Sequence, residues 1–362
     1  MSTPSLQKIS LSAGSQNRHA FTAALLKWNR KENDRNMPWK GEKNPYRIWL
    51  SEIILQQTRV EQGLKYYEKF ISIFPDIHAL AAAPDEKVFK LWEGLGYYSR
   101  CRNLIHSAKF IADHLNGKFP DNFQSILELK GIGNYTAAAI ASFAYNLPHA
   151  VLDGNVYRVL SRIFDIDTPI DSVYGKKEFA ALANELLPVN HAGEYNQAIM
   201  DFGAVVCKPA PVCSSCFYQM SCPAFLKSKQ DLLPVKQKKA TIRKRWLYYY
   251  ATVYSDAMLI RQRKTNDIWQ QLFEFPLVET PSPLRADRQL QFYRDQYGIT
   301  NYEVIEHIEN QQKLTHQHLS FGLYYIILKN KIDVPGFEWV SLSRLDQFAF
   351  PKTLQLFLSR LK

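Results

Sequence analysis

Glu52 and Asp153 are the first residues in this chain of 362 to invite a chemical reading. Glu52 stands in the run Tyr46 to Arg59, which reads as a helix opened by Pro45 in its first turn. Its neighbours three and four positions away are Ile48, Trp49, Leu55 and Gln56, so the carboxyl lies on a largely apolar face. Desolvation there raises a carboxyl pKa and keeps the group protonated near neutral pH, as a general acid requires. An ordinary helix-surface glutamate reaching for water is the plainer alternative. Asp153 precedes Val156, Val159, Leu160, Ile163 and Phe164, which recur at helical spacing, and so it takes the place of an N-cap. A carboxylate that accepts backbone N–H bonds keeps a low pKa, stays ionised and can stabilise a developing cation. Protonated Glu52 and ionised Asp153 would be the split pair of carboxyls that glycosyl-bond cleavage uses.

Four cysteines follow as Cys207-x5-Cys213-x2-Cys216-x5-Cys222. At that density they point to a metal site and a reducing compartment; a secreted disulfide framework would spread them differently. Zinc usually takes two separated Cys-x2-Cys knuckles, and this run has one close pair, which tilts the reading toward an iron-sulfur cluster. The remaining Cys101 reads as a plain buried thiol.

Helices and turns must carry these groups. Gly131 and Gly133, in Leu129-Lys130-Gly-Ile-Gly133, can take positive φ and let the backbone approach a ligand. The helix from Asn134 then presents free N–H groups, a phosphate site that needs no particular side chain; a helix C-cap and turn is the bland reading. Gly94-Leu-Gly96 presents Tyr97 and Tyr98, followed by Arg100 and Arg102, an arrangement suited to a wedge in a base stack with arginines on phosphates. Tyr97 could equally fill a core. Asp121 is placed to cap a helix over Asn122 to Lys130. Helices are also expected at Gly63 to Phe74, Asp85 to Leu91 and Ser99 to Leu115, and one from Phe21 ends in the polar stretch Asn29 to Asn36.

Lys and Arg number 45 against 34 Asp and Glu, a net charge of +11 that favours a polyanionic partner, nucleic acid first. The Ser-rich opening lacks the apolar core of a secretory signal, and no apolar run is long enough to span a bilayer. The expectation is a cytoplasmic protein, nucleoid-associated in a bacterium, without membrane contact. Residues 1–17 read as a disordered lead-in and 18–225 as a catalytic domain. Within it, a six-helix part spans about 44–152, and a cluster module is built from 18–43 and 153–225. Residues 226–244 form a linker; Lys227 to Arg245 holds eight basic residues and one acidic. From 245 the period becomes strand-like at Trp246 to Tyr254, Met258 to Arg261, Tyr302 to Ile308 and His318 to Leu328. With helices at Leu284 to Tyr297 and Lys352 to Leu361, residues 245–362 read as an α+β domain.

Taken together, these motifs resemble the adenine DNA glycosylases of the MutY family, in the helix-hairpin-helix superfamily that includes endonuclease III. The likeness runs from about Ala20 onward. It rests on Met37-Pro38-Trp39, Pro45-Tyr46 through Glu52 to Thr58, Gly94 to Tyr98, the Gly131 hairpin, Leu152-Asp-Gly-Asn-Val156, Asn196-Gln197 through Asp201-Phe-Gly203, and the cysteines. The resemblance implies a mainly α helix-hairpin-helix glycosylase fold with an iron-sulfur loop, followed by an α+β Nudix-like domain. It implies a monomeric enzyme that flips adenine, mispaired with 8-oxoguanine or guanine, out of duplex DNA and removes it. Glu52 matches the general acid and Asp153 the carboxylate that stabilises the cationic sugar, with Tyr135 and Asn155 beside it. Arg35, Trp39, Leu55 and Gln197 fall around the flipped adenine. Gln57, Thr58 and Tyr97 fall at the wedge, and Lys130, Gly131 and Gly133 at the backbone grip. Leu314, Thr315 and His316 align with a loop that reads 8-oxoguanine, and Cys207, Cys213, Cys216 and Cys222 would hold one [4Fe-4S] cluster.

Relatives that act as lyases carry a lysine where this chain has Tyr135, because a Schiff base requires an amine; a monofunctional glycosylase is therefore expected. Tyr157 also stands where some members have lysine. The segment Ile268 to Pro276 is similar to a glycine-containing counterpart, and no cluster of glutamates of the kind a Nudix hydrolase uses for magnesium follows Pro276. The first two cysteines are one residue closer than is usual. Leu314 replaces an aromatic, Thr315 replaces serine but keeps a hydroxyl, and Lys40 stands where an arginine would grip a phosphate with two bonds. The competing readings are an endonuclease III-like lyase, opposed by Tyr135, and a catalytically silent DNA-damage-binding module, opposed by retention of Glu52 with Asp153. A Nudix hydrolase lacks its metal-binding glutamates.

Overall fold

The computed structural model describes residues 11–237, 242–314 and 316–360. Two compact units emerge, Met1–Ala81 with His106–Lys238, and Ala82–Ile105 with Lys239–Lys362. The stretch 82–105 thus leaves the catalytic domain in which the sequence reading had put it. Its polar ties explain why: the Phe350 N–H and Gln355 Nε2 donate to the Glu93 carboxylate at 2.8 and 2.9 Å, Lys90 Nζ to the Phe348 carbonyl at 2.9 Å and Arg102 Nη1 to the Gln270 carbonyl at 3.1 Å.

The first unit is helical. α1 (Leu11–Lys31) precedes α2 (Pro45–Leu55), α3 (Val60–Ile73) and α4 (Ile77–Ala81). α5 (Asp85–Trp92) and the start of α6 (Tyr98–His114) fall in the second unit, and α7 (Phe123–Glu128), α8 (Asn134–Tyr145), α9 (Gly154–Ile163), α10 (Val173–Leu186), α11 (Ala192–Val205) and α12 (Pro223–Leu226) complete the first. α1 begins at Leu11, inside the expected lead-in: once a helix is nucleated by a buried stripe such as Phe21, Leu25 and Trp28, each added turn costs little. That stripe packs with Val156, Leu160, Phe179, Ile199 and Phe202 in one core.

Local chemistry sets the ends that matter. Asn44 caps α2 by accepting from the Tyr46 N–H at 2.9 Å, and Pro45 fills the first turn. The helix stops at Leu55, short of the expected Arg59, because Gln57 turns to φ 55°. Asn122, not Asp121, caps α7, its Oδ1 accepting from the Ser125 N–H at 2.9 Å. In the hairpin before α8, Gly131 takes φ 86°, while Gly133 is extended at φ −103°, so only the first glycine is required by conformation.

The second unit holds a mixed sheet of β1 (Arg243–Tyr254), β2 (Ala257–Gln262), β3 (Phe273–Glu274), β4 (Leu277–Thr280), β5 (Tyr302–Lys313), β6 (Gln317–Leu328) and β7 (Glu338–Ser341). The order is β3-β2-β1-β6-β5, with β4 on β1 and β7 on β2; β1 and β6 are parallel and the other pairs antiparallel. Side chains alternate across the sheet. Tyr248, Tyr250, Tyr324 and Ile326 face one way, where Tyr293 of α13 (Ala286–Tyr297) joins them; Leu247, Tyr249, Phe321 and Leu323 face the other with Leu354 and Phe357 of α14 (Lys352–Leu358). Among the described residues no helix is long and apolar enough to cross a membrane.

Candidate active site

A cavity of about 670 Å³ opens in the first unit, and α2, the Gly131 hairpin, α9 and α11 all contribute to it. Glu52, Asp153, Tyr135, Asn155, Arg35, Trp39, Leu55, Gln57, Thr58, Gln197, Gly131 and Gly133 line this one space, although they are scattered from position 35 to position 197 of the sequence.

Glu52 is 7% exposed. Burial pushes its carboxyl up to about 7; a hydrogen bond from the Tyr135 hydroxyl opposes that rise, and the negative charge of Asp153 adds to it. Asp153 caps α9, accepting from the Val156 N–H at 2.7 Å and from Asn155 Nδ2 at 2.7 Å. Its pKa departs from expectation. Burial raises it above the ordinary aspartate value despite those bonds, because enclosing the carboxylate outweighs the donors that favour the charged form. Asn155 is held in turn by Arg158, whose Nη2 donates to Asn155 Oδ1 and to the Gly203 carbonyl, both at 2.7 Å, and whose Nε donates to the Cys207 carbonyl at 2.8 Å. Arg158, to which the sequence reading gave no role, thus supports Asn155 at the cavity.

Asp201 is a second such support. It is fully buried and gathers Arg35 Nη1 at 2.6 Å, Asn33 Nδ2 at 2.9 Å and Gln197 Nε2 at 3.0 Å, with Lys40 Nζ 3.2 Å away. The pocket residues Arg35 and Gln197 are therefore oriented by one carboxylate. The clue was present in the sequence, since Asp201 lies four residues after Gln197, on the same helix face. Lys40, expected on a phosphate, instead points inward and also donates to the Arg35 carbonyl at 2.8 Å.

In the second unit Tyr97 is 44% exposed at φ 48°. The arginines expected on phosphates beside it are otherwise engaged. Arg100 is buried, lies 5.3 Å from the ring centres of both Trp92 and Tyr97, and donates to the Gly96 carbonyl at 3.3 Å, while Arg102 holds Gln270. Leu314 and His316 share a cavity of about 550 Å³ with Tyr97 and Trp269, so two of the three residues expected to read the lesion lie beside the tyrosine expected at the wedge. Thr315 lies outside the described residues, as do 238–241 of the expected linker. Lys130 is exposed at the hairpin, and its carbonyl accepts from Ser107 Oγ at 3.0 Å.

Cys207, Cys213, Cys216 and Cys222 surround one hollow. Buried Arg162 laces the loop around it, donating to the carbonyls of Lys208, Pro209 and Leu233 at 2.8, 3.0 and 3.3 Å, with Nη1 3.6 Å from Cys207 Sγ. The Tyr218 N–H points at Cys216 Sγ from 3.4 Å. Four cysteines share this hollow with Arg162, Ile163, Val206 and Phe225, and the two N–H groups near Cys207 and Cys216 are of the kind that support thiolate ligands. Among the described residues no three His, Cys, Asp or Glu side chains converge tightly enough for a single metal ion.

Both halves of the chain are similar to known proteins. Residues 50–187 match the HhH-GPD superfamily base excision DNA repair protein family, and residues 248–360 match the NUDIX domain. The adenine DNA glycosylase of Buchnera aphidicola subsp. Baizongia pistaciae (strain Bp) is 32% identical over 348 residues, spanning 94% of this chain and 97% of its own. The adenine DNA glycosylase of Homo sapiens is 38% identical over 224 residues, 59% of this chain and 41% of its own. Among solved structures, a thermostable thymine-DNA glycosylase aligns with TM-score 0.55 at 28% identity, over 60% of this chain and 100% of that one.

Proposed function

The chain belongs to the adenine DNA glycosylase family, and we propose that it removes adenine mispaired with 8-oxoguanine or guanine from duplex DNA as a monofunctional enzyme. It is an adenine-specific DNA N-glycosylase, a hydrolase. The observation that carries the mechanism is the pairing, in one cavity, of Glu52 held up to about 7 with Asp153 fixed by donors at 2.7 Å. Glu52 enters protonated and delivers its proton to the ring of the flipped adenine, which can then leave as a neutral base. Asp153 stabilises the cationic sugar left behind, and Asn155 and Tyr135 orient the two carboxyls. Arg35, Trp39, Leu55 and Gln197 surround the base, Arg35 and Gln197 aligned by Asp201. Gln57 and Thr58 of the first unit insert in the stack, Tyr97 of the second unit is a wedge residue in its own right, and Lys130, Gly131 and Gly133 grip the backbone.

Two observations support the monofunctional reading: the position that would need lysine for lyase chemistry is Tyr135, and among the described residues no lysine lines the cavity. The four cysteines would hold a [4Fe-4S] cluster, whose bonds would crosslink the loop from Cys207 to Cys222, while Arg158 ties the Cys207 carbonyl of that loop to Asn155. In the Nudix-like unit, Leu314, Thr315 and His316 read the oxidised base opposite adenine. That unit recognises and does not hydrolyse. Between Leu277 and Tyr297 the sole glutamate is Glu279, and Arg245 Nε occupies it at 2.6 Å.

Single-turnover excision on a duplex carrying adenine opposite 8-oxoguanine tests the reading. Abasic product is expected from the wild-type protein and not from Glu52→Gln; undiminished product from the variant would refute the assigned acid. Iron and sulfide analysis decides the cluster, and zinc alone would overturn it.

A further inference from the structure

The α13 side of the C-terminal sheet carries a trough that the glycosylase chemistry does not use. Register across three neighbouring strands builds it in rows. Trp246 of β1 lies beside Ser320 of β6, which lies beside Gln311 of β5; the next row is Tyr248, Gly322 and Glu309, and Tyr250, Tyr324 and His307 close the end. Partners in register share a face, so these side chains project together. Small residues on the middle strand leave an aromatic wall on one side and an acid-amide wall on the other.

Gly322 is required by this packing, since a Cβ there would come within 2.7 Å of Tyr248 Cδ1 and 3.0 Å of Gln289 Oε1. The closed end is stiff. The His307 ring stacks on Tyr324 at 4.1 Å, the Tyr324 hydroxyl donates to Gln289 Oε1 at 2.7 Å, and the Leu284 N–H donates to the Tyr248 hydroxyl at 2.8 Å. The resulting cavity is about 450 Å³, a size typical of ligand sites. Its lining contains no lysine or arginine in a chain with 45 of them, and Glu309 is its one charged group among the described residues.

We propose that this trough seats the guanidinium of an arginine side chain presented by a protein partner. A planar cation stacks on an aromatic face and pairs with a carboxylate through two parallel N–H bonds, the two features that Trp246 and Glu309 supply across the floor. A phosphate-bearing ligand would find no cation there. A neutral base could stack but would leave Glu309 without a charge partner. β5, which carries Glu309, is the edge of the sheet, so the backbone presenting the arginine can run along an open strand.

Titration of the full-length protein with N-acetyl-Gly-Arg-Gly-amide, its citrulline counterpart of the same shape without charge, its lysine counterpart and deoxyguanosine tests the assignment. Binding is followed by tryptophan fluorescence and by amide resonances of Ser320 and Gly322. The arginine peptide is expected to bind about 10-fold tighter than the citrulline peptide. Glu309→Gln should erase that gap and Trp246→Leu should weaken both peptides, while adenine excision, measured on the same preparations, stays at the wild-type rate and certifies their folding. Equal affinity for arginine and citrulline, lysine binding as tightly as arginine, preference for deoxyguanosine, or no response to any probe would each overturn the proposal.

Discussion

Replacing Glu52 by glutamine should disable the enzyme and stabilise it, and the stabilisation should depend on pH. The carboxyl has an ordinary value of 4.5 in an unfolded chain and about 7 in the folded protein, chiefly because it is buried. At roughly 1.4 kcal/mol per pH unit, that gap is worth ~3 kcal/mol. The fold accommodates the neutral acid, so the stability this provides is fully present below pH 4.5 and is lost as pH rises from there to about 7. Glutamine is neutral throughout. The variant should therefore match wild type near pH 4 and exceed it by ~3 kcal/mol near pH 8. Glu52 is 7% exposed, so screening by solvent takes little from that figure. Urea unfolding followed by far-UV ellipticity, which weights the helical unit, measures the difference at both pH values. In parallel, wild-type kcat/KM for excision should fall above about pH 7, and the variant should lose ~100-fold or more. A stability difference that stays constant with pH would refute the claim that Glu52 is buried as its neutral acid.

Three further outcomes are expected. Asp201→Asn removes the charge that gathers Arg35 and Lys40 in a fully buried position; a loss of about 3 kcal/mol in thermal stability and a raised KM for excision should follow, and unchanged KM would contradict its role as the pocket's organiser. Gln271 sits at φ 72°, a conformation that a side chain makes unfavourable, so Gln271→Gly should stabilise the second unit by about 1 kcal/mol in urea titration. Tyr135→Lys puts an amine in the cavity; borohydride should then trap a covalent DNA complex that wild type does not form, and trapping by wild type would remove the argument for monofunctional chemistry.

Much of the site was legible because its chemistry leaves local marks. The Asn44-Pro45 start of α2, the apolar neighbours of Glu52, the capping position of Asp153 and the cysteine spacing each depend on residues close together in the chain. Gln57 shows where that legibility ends. Its helical pattern continues past Leu55, but a left-handed turn decided elsewhere breaks it and brings Gln57 and Thr58 to the cavity. Arg100 and Arg102 fail in the same way, since charge in sequence does not say whether a carbonyl or an aromatic face already holds it.

The sequence by itself determined the helical and strand-rich halves, the acid on an apolar face, the capping aspartate and the cysteine ring, since periodicity and spacing express backbone geometry directly. Only the tertiary structure decided the protonation balance of the two carboxyls, the inward turn of Lys40 and the hubs at Asp201 and Arg158. A pKa depends on the desolvation and donors that surround a group in space. For Asp153 enclosure raised what its capping bonds alone would have lowered, and no local pattern could have weighed the two.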